Sequence, residues 1–199
     1  MKRPISTLIL PISADGKLVS RDSIITDKDP SWRVQPHVTG YLQQFYDFST
    51  SDSYTLTTGE VMALSGVNHK ISKPEKEDLS LVVLDFTQSL STNGVTYLEQ
   101  TVKNLLIIKD PLTPKEIMDL LNRHKIKNLT IHSTPMNALW IQDNLVDYLT
   151  LIIYPLIVGE SGTPVTSLGL SKPKTLTLLE TRTFDQNYIC LRYKINLAK

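Results

Sequence analysis

The sequence predicts an α/β protein built around a central mixed, mostly parallel sheet, and three observations carry that prediction. Short β-branched, apolar runs alternate with segments of helical spacing. Residues 149–154 are almost continuously apolar, as a strand covered on both faces must be. The end of the chain changes to alternation of apolar and polar residues. Strand, helix, strand, helix, strand in succession means parallel strands with right-handed crossovers, and the final alternation means an antiparallel hairpin closing the sheet edge.

Taken in order, residues 6–13 read as a strand in which Pro11 removes a ladder donor and implies a bulge or local break. Ser13-Ala14-Asp15-Gly16-Lys17 follows as a turn. Pro36 opens a helix with Val38, Tyr41, Leu42 and Phe45 on one face, and Trp32 ahead of it is a packing residue. The polar residues 49–53 lead into a strand at 54–57 that ends at Thr58-Gly59. Residues 70–78, with charges around Pro74, form a solvated loop before a strong strand at 79–85. Asn93-Gly94 reads as a turn, followed by a segment without a clear assignment and a strand at 105–108. Thr113-Pro114-Lys115-Glu116 is a capping box with proline at the first helical position, and Ile117, Leu120 and Leu121 face inward from the helix it opens.

The stretch 129–162 organises the rest. Residues 129–131 form a short strand that stops at His132 and Ser133. Thr134 is a suitable N-cap, Pro135 sits where a missing N–H costs nothing, and Met136, Leu139 and Trp140 recur at helical spacing. Asn144 suits the left-handed residue that ends a helix. Pro155 closes the strand at 149–154, and Gly159 and Gly162 bracket a tight loop ahead of Thr163 and Pro164. Two loops then share one end of a sheet, where open α/β folds bind ligands. Residues 176–179, a turn at Asp185-Gln186-Asn187 and residues 188–195 complete the chain as antiparallel strands.

A length of 199 residues fits one domain, 1–199, with a substantial core. Lys and Arg total 21 against 20 for Asp and Glu, and a net charge of +1 gives no reason to expect nucleic acid or a membrane surface. The expected partner is a small molecule. Cys190 is the sole cysteine, which excludes a disulfide framework and points to a reducing, cytoplasmic setting. The first residues lead straight into a strand without an apolar core or a small-residue cleavage site, so no secretory signal is expected. No apolar run approaches the ~20 residues a membrane helix needs.

The four histidines, His37, His69, His124 and His132, are scattered without a second ligand at helical spacing, so no metal site is expected. The Gly-x-Ser-x-Gly elbow and the Walker and dinucleotide glycine fingerprints are missing. Asp15 remains, as a general acid, a substrate anchor or an Asx-turn residue, and the turn reading is the preferred one from the residues alone. Lys17, Arg21 and Arg33 suit a phosphate or plain solvation. The helix opening at Thr134, with the Ser133 and Thr134 hydroxyls beside it, offers N–H groups to an anion.

Thr7-Leu8-Ile9-Leu10 running into Ser13-Ala14-Asp15-Gly16-Lys17, then Val82-Val83-Leu84-Asp85, Leu145-Val146-Asp147 and Tyr154-Pro155-Leu156-Ile157-Val158-Gly159, and finally Leu191-Arg192-Tyr193, resemble the reductase domain of bacterial riboflavin biosynthesis, the RibD C-terminal type. The similarity spans nearly the whole chain in the correct order. It implies a dihydrofolate-reductase-like, three-layer α/β/α fold and commonly a homodimer. It also implies NADPH-dependent reduction of the ribosylamino group of a phosphorylated pyrimidine, with nicotinamide C4 held about 3–3.5 Å from the sugar carbon in a dry cleft. By resemblance Asp15 handles substrate contact and the proton, with Ser13, Lys17 and Arg21 on the substrate side. Gly59, Ser133, Thr134, Gly159 and Gly162 then lie along the cofactor. Asp15 and Thr134 are expected to face one cleft.

The chain departs from the family at several of these places. The family's Glu-Gly-Gly-Gly is replaced by Ile131, His132, Ser133 and Thr134. Its earlier glycine-rich turn survives as Thr57-Thr58-Gly59-Glu60, Pro11 replaces a small residue, and Thr87 and Gln88 stand where a basic residue is expected for the 2′-phosphate. These departures define an alternative: a fold-retaining protein that binds a nucleotide, a pterin-like ring or a protein partner without hydride transfer. Dihydrofolate reduction is a third possibility. His132 either replaces the glutamate as a titrating group or points to solvent, and solvent is the preferred reading.

Overall fold

Strands form where the apolar runs stand, and helices where a hydroxyl or a proline opens a segment of helical spacing. The computed structural model describes residues 3–18, 53–71, 75–132, 136–155, 157, 159, 163–164, 170–183 and 189–196. In chain order the strands are β1 (Ile5–Ser13), β2 (Lys17–Leu18), β3 (Ser53–Thr58), β4 (Glu77–Leu84), β5 (Val102–Ile108), β6 (Asn128–His132), β7 (Tyr148–Tyr154), β8 (Thr163–Pro164), β9 (Thr175–Thr183) and β10 (Ile189–Asn196). The helices are α1 (Gly59–Leu64), α2 (Thr92–Thr101), α3 (Pro114–Arg123) and α4 (Asn137–Gln142). Contacts gather the chain into two units, Met1–Pro4 with Gly40–Ile131 and Ile5–Thr39 with His132–Lys199.

In the first unit β5, β4, β3 and β6 lie side by side and parallel, with Leu56 opposite both Val82 and Ile131. Leu79 and Leu81 to Leu84 are buried without interruption, so β4 is covered on both faces as its run of aliphatic residues predicts. Asn93-Gly94, read above as a turn, lies in the first turn of α2. The reason is tertiary. Ser91 caps the helix by accepting from the Gly94 N–H at 3.1 Å, while the Asn93 amide donates to the carbonyls of Asn68 and Lys70 at 3.0 and 3.1 Å. Asn68 in turn accepts from the Ser91 N–H at 2.9 Å and donates to the Ser89 carbonyl at 2.9 Å. A Cβ at Gly94 would stand 2.2 Å from Asn68 Oδ1, so the glycine is there for close approach. Residues 58–59 also do more than end β3. Thr58 caps α1, a helix the apolar spacing had not revealed, by accepting from the Val61 N–H at 3.3 Å.

In the second unit β1 and β7 are parallel from Thr7 opposite Tyr148 to Ser13 opposite Tyr154. β10 runs antiparallel to β7, and β9 antiparallel to β10 with an irregularity between Arg192 and Tyr193. This is the antiparallel C-terminal closure expected from the alternation. Pro11 does not break β1: the strand runs through it, with Pro11 opposite Ile152. A proline's φ is compatible with extended backbone, and its ring removes one donor and no more. The starts of the two strands are tied by Asp147, which accepts from the Ser6 N–H at 2.9 Å through Oδ2, and by the Ser6 hydroxyl, which donates to the Leu145 carbonyl.

α4 begins at Asn137 with Met136 in the cap position, and Thr134 and Pro135, expected above to open it, lie outside the described residues. Trp140 is fully buried in it, whereas Leu139 is exposed and belongs to the outer face. Asn144 is left-handed, with φ 56°, as predicted. The helix expected at 36–45, Trp32, Arg33 and the turn at 185–187 lie outside the described residues.

The capping box of α3 is as the sequence predicts. Glu116 Oε2 accepts from the Thr113 N–H at 2.8 Å and from its hydroxyl at 2.7 Å, and Ile117 and Leu121 are fully buried while Leu120 is half-buried. Those bonds hold the Glu116 carboxyl below its usual range. The box therefore contributes above the unfolded carboxylate pKa and is lost as pH falls through the lowered value. Thr113→Ala should cost about 1 kcal/mol in urea unfolding at neutral pH, with Thr113→Ser nearly silent. The deficit of Thr113→Ala should shrink in acid.

Candidate functional site

The turn after β1 is built by one buried hydroxyl. Ser13, 1% exposed, donates through Oγ to Asp15 Oδ1 at 2.5 Å and accepts from the Lys17 N–H at 2.9 Å. Its carbonyl accepts from the Gly16 N–H at 3.0 Å, which closes the turn, and Gly16 takes the φ of 73° that the turn needs. The chain then returns as β2 beside β1, with Ile12 opposite Leu18, and β8 pairs with β2 through Lys17 opposite Pro164. Asp15 is exposed and Lys17 half-buried.

The second carboxylate oxygen reaches across the sequence. Asp15 Oδ2 accepts from the Gly159 N–H at 2.9 Å. Gly159 has φ 72°, and a Cβ there would meet nothing within 4 Å among the described residues, so the backbone conformation is what calls for glycine. Ser13, Asp15, Lys17 and Gly159 are thus brought together at the carboxyl ends of β1 and β7. Arg21, Ser133, Thr134 and Gly162 lie outside the described residues, and so does the expected meeting of Asp15 with Thr134.

Gly59, the remaining candidate, belongs to the first unit, where Asp85 stands over it. Asp85, 2% exposed at the end of β4, accepts through Oδ1 from the N–H groups of Ser89 and Leu90 at 2.8 and 3.3 Å. A Cβ on Gly59 would stand 2.0 Å from that same oxygen. The space that the glycine leaves open is filled by the chain's own carboxylate. Residues 85–91, Asp-Phe-Thr-Gln-Ser-Leu-Ser, contain no cation. The Cβ side of Gly59 is therefore closed to a phosphate. An acid directly after an aliphatic strand was the signal available in the sequence for this corner.

His132 is not solvent-facing: it is the last residue of β6 and is 1% exposed. Burial pushes its pKa down to about 3. Cys190 is buried as well, and burial raises its thiol pKa. Among the described residues no group of three or more His, Cys, Asp or Glu side chains could hold a metal ion. Nor is any described helix long and apolar enough to cross a membrane.

Comparison with known proteins decides the family. The sequence model of the RibD C-terminal domain matches residues 11–190. The chain belongs to that family. RibD C-terminal domains of solved structure share its fold at low identity. RibD from Acinetobacter baumannii superimposes with a TM-score of 0.65 at 16% identity, covering 98% of this chain and 59% of that one. The riboflavin biosynthesis reductase of Saccharomyces cerevisiae gives 0.58 at 16% identity, with 98% and 90% covered. Dihydrofolate reductase from Enterococcus faecalis, complexed with NADP(H), gives 0.53 at 11% identity over 96% of each chain, which establishes the dihydrofolate-reductase-like fold. No curated protein sequence matches the chain.

The buried histidine of this RibD C-terminal domain has a pH consequence. The unfolded chain takes up a proton near 6.5 that the native His132 refuses until about 3. Its folded pKa is the lower, so stability is intact above 6.5 and falls with pH, by on the order of 1 kcal/mol per pH unit, until about 3. Urea unfolding of the wild type and His132→Gln between pH 7 and pH 4 should show a shallower slope for the variant. Parallel slopes would show that the ring takes up its proton in the native state.

Proposed function

We propose that the chain is a reductase of the riboflavin-biosynthesis type, acting on a phosphorylated pyrimidine or a related ring with NADPH as hydride donor. The observation that carries the reading is the family match over residues 11–190, which takes in the turn at Ser13, Asp15 and Lys17. Relatives of this fold include the yeast riboflavin biosynthesis reductase and, from Thermotoga maritima, a 5-amino-6-(5-phosphoribosylamino)uracil reductase joined to a deaminase. In this reading the substrate meets Asp15, with Ser13, Lys17 and Arg21 beside it. The cofactor runs past Ser133, Thr134, Gly159 and Gly162.

A second reading is favoured by Asp85. With its carboxylate over Gly59, the fold is retained by a protein that binds a nucleotide or pterin-like ring without hydride transfer. Titration of purified protein with NADPH, followed by nicotinamide fluorescence, separates the two. Saturation is expected, together with a thermal shift for NADP at a hundred times its dissociation constant, worth ~2.7 kcal/mol. No saturable change up to millimolar NADPH would leave the second reading.

We also propose that two copies pair. β9 offers Leu176, Leu178 and Leu179 at 40, 54 and 49% exposure, an apolar strand of the kind that a partner covers. Sedimentation equilibrium should give twice the chain mass, and Leu178→Glu should shift the protein towards the monomer. A wild type that stays monomeric at all accessible concentrations would refute the pairing.

A further inference from the structure

Resting on the reductase reading, we propose that Asp15 is a positioning residue, a clasp that holds the backbone at Gly159 against the turn after β1, and that it does not supply the proton. Both of its oxygens act as acceptors: Oδ1 towards the Ser13 hydroxyl at 2.5 Å and Oδ2 towards the Gly159 N–H at 2.9 Å. An ionised carboxylate has only acceptor sites, which suits two donors converging on it. A protonated one keeps lone pairs on both oxygens but carries its O–H on one of them, which makes that oxygen the poorer acceptor. The bond to that oxygen weakens while the proton is held. Proton donation and holding Gly159 thus make opposing demands on the carboxylate.

The frame around the carboxylate is set before it acts. Ser13 is buried and accepts from the Lys17 N–H on its other side, and of the two acceptors its hydroxyl can reach, Asp15 Oδ1 is nearer than the Lys17 carbonyl at 3.4 Å. β1 and β7 are parallel neighbours with Ser13 opposite Tyr154, which delivers their outgoing chains to the same end of the strands. The two ends of the clasp are separated by 144 positions in sequence. Gly159 at φ 72° turns its N–H to the carboxylate in a conformation that a side chain would strain.

The test compares Asp15→Asn with Asp15→Ala. Asparagine keeps a carbonyl oxygen for the Gly159 N–H and can donate to Ser13, so it preserves the clasp, but it cannot serve as an acid. The assay follows NADPH oxidation with 5-amino-6-(5-phosphoribosylamino)uracil as the substrate probe, and NMR follows hydrogen exchange at the Gly159 amide.

Asp15→Asn is expected to lower kcat/KM by about tenfold, through its altered substrate contact, while both limbs of the pH profile persist and the Gly159 amide stays protected. Asp15→Ala should raise KM by about tenfold or more and speed exchange at Gly159 by a similar factor. A fall in kcat of about 10² or more for Asp15→Asn at unchanged KM, with a limb of the pH profile gone, would overturn the proposal in favour of a general acid. Equal exchange at Gly159 in wild type and Asp15→Ala would overturn it as well. If the wild type turns over no substrate, the reductase reading falls, and exchange at Gly159 still decides for or against the clasp.

Discussion

The parallel pairing of β1 with β7 is the constraint on which the candidate site depends. Seven consecutive residue pairs, from Thr7 with Tyr148 to Ser13 with Tyr154, fix where both chains leave the sheet. A register slip of one residue would turn every side chain of β1 to the opposite face. It would also carry Ser13, and with it Asp15, out of reach of Gly159. The register is pinned at its other end by Asp147 and Ser6, whose backbone groups also exchange a hydrogen bond from the Asp147 N–H to the Ser6 carbonyl at 3.0 Å. Polar contacts at both ends of an otherwise aliphatic pair of strands set the alignment that aliphatic packing alone leaves loose.

The first unit uses its polar groups differently. Asp85, Asn68 and Ser91 are consumed in holding loops to helix and strand ends, and the glycines beside them, Gly59 and Gly94, are small because side-chain oxygens of Asp85 and Asn68 stand where a Cβ would be. A glycine in a loop of an α/β protein invites the idea of a ligand pressed against the backbone. Here the pressing group belongs to the chain. The same residue type therefore serves different ends at Gly59 and at Gly159, where no described residue lies within 4 Å of a Cβ and a φ of 72° calls for glycine.

What could be read from the residues was what local chemistry decides. The capping box at Thr113 and Glu116, the left-handed Asn144 and the two-sided burial of β4 each depend on neighbours within a turn or a strand. The misreadings share the opposite cause. Asn93-Gly94 has the composition of a turn, and the distant carbonyls of Asn68 and Lys70, together with the Ser91 cap, make it the start of a helix. His132 is polar, yet it continues a strand into the interior, and its burial depends on what packs around it rather than on its own sequence context. The turn at Asp15 was legible while its partner Gly159 was not, because that contact exists only once two distant strands have paired. The resemblance to the RibD C-terminal type supplied the fold across that gap, and it did not reveal that the Asp85 carboxylate stands over Gly59.

Cys190 sits near the start of β10, opposite Ile152 on one side and Arg182 on the other, with 7% of its surface exposed. Burial raises its thiol pKa, so the nucleophilic thiolate is scarce while β9 and β10 stay zipped. Parting of these two strands would hydrate the sulfur and return it to ordinary reactivity. The lone thiol is thus a native gauge of how often the C-terminal hairpin breathes, readable by the pace of alkylation without adding any label to the chain.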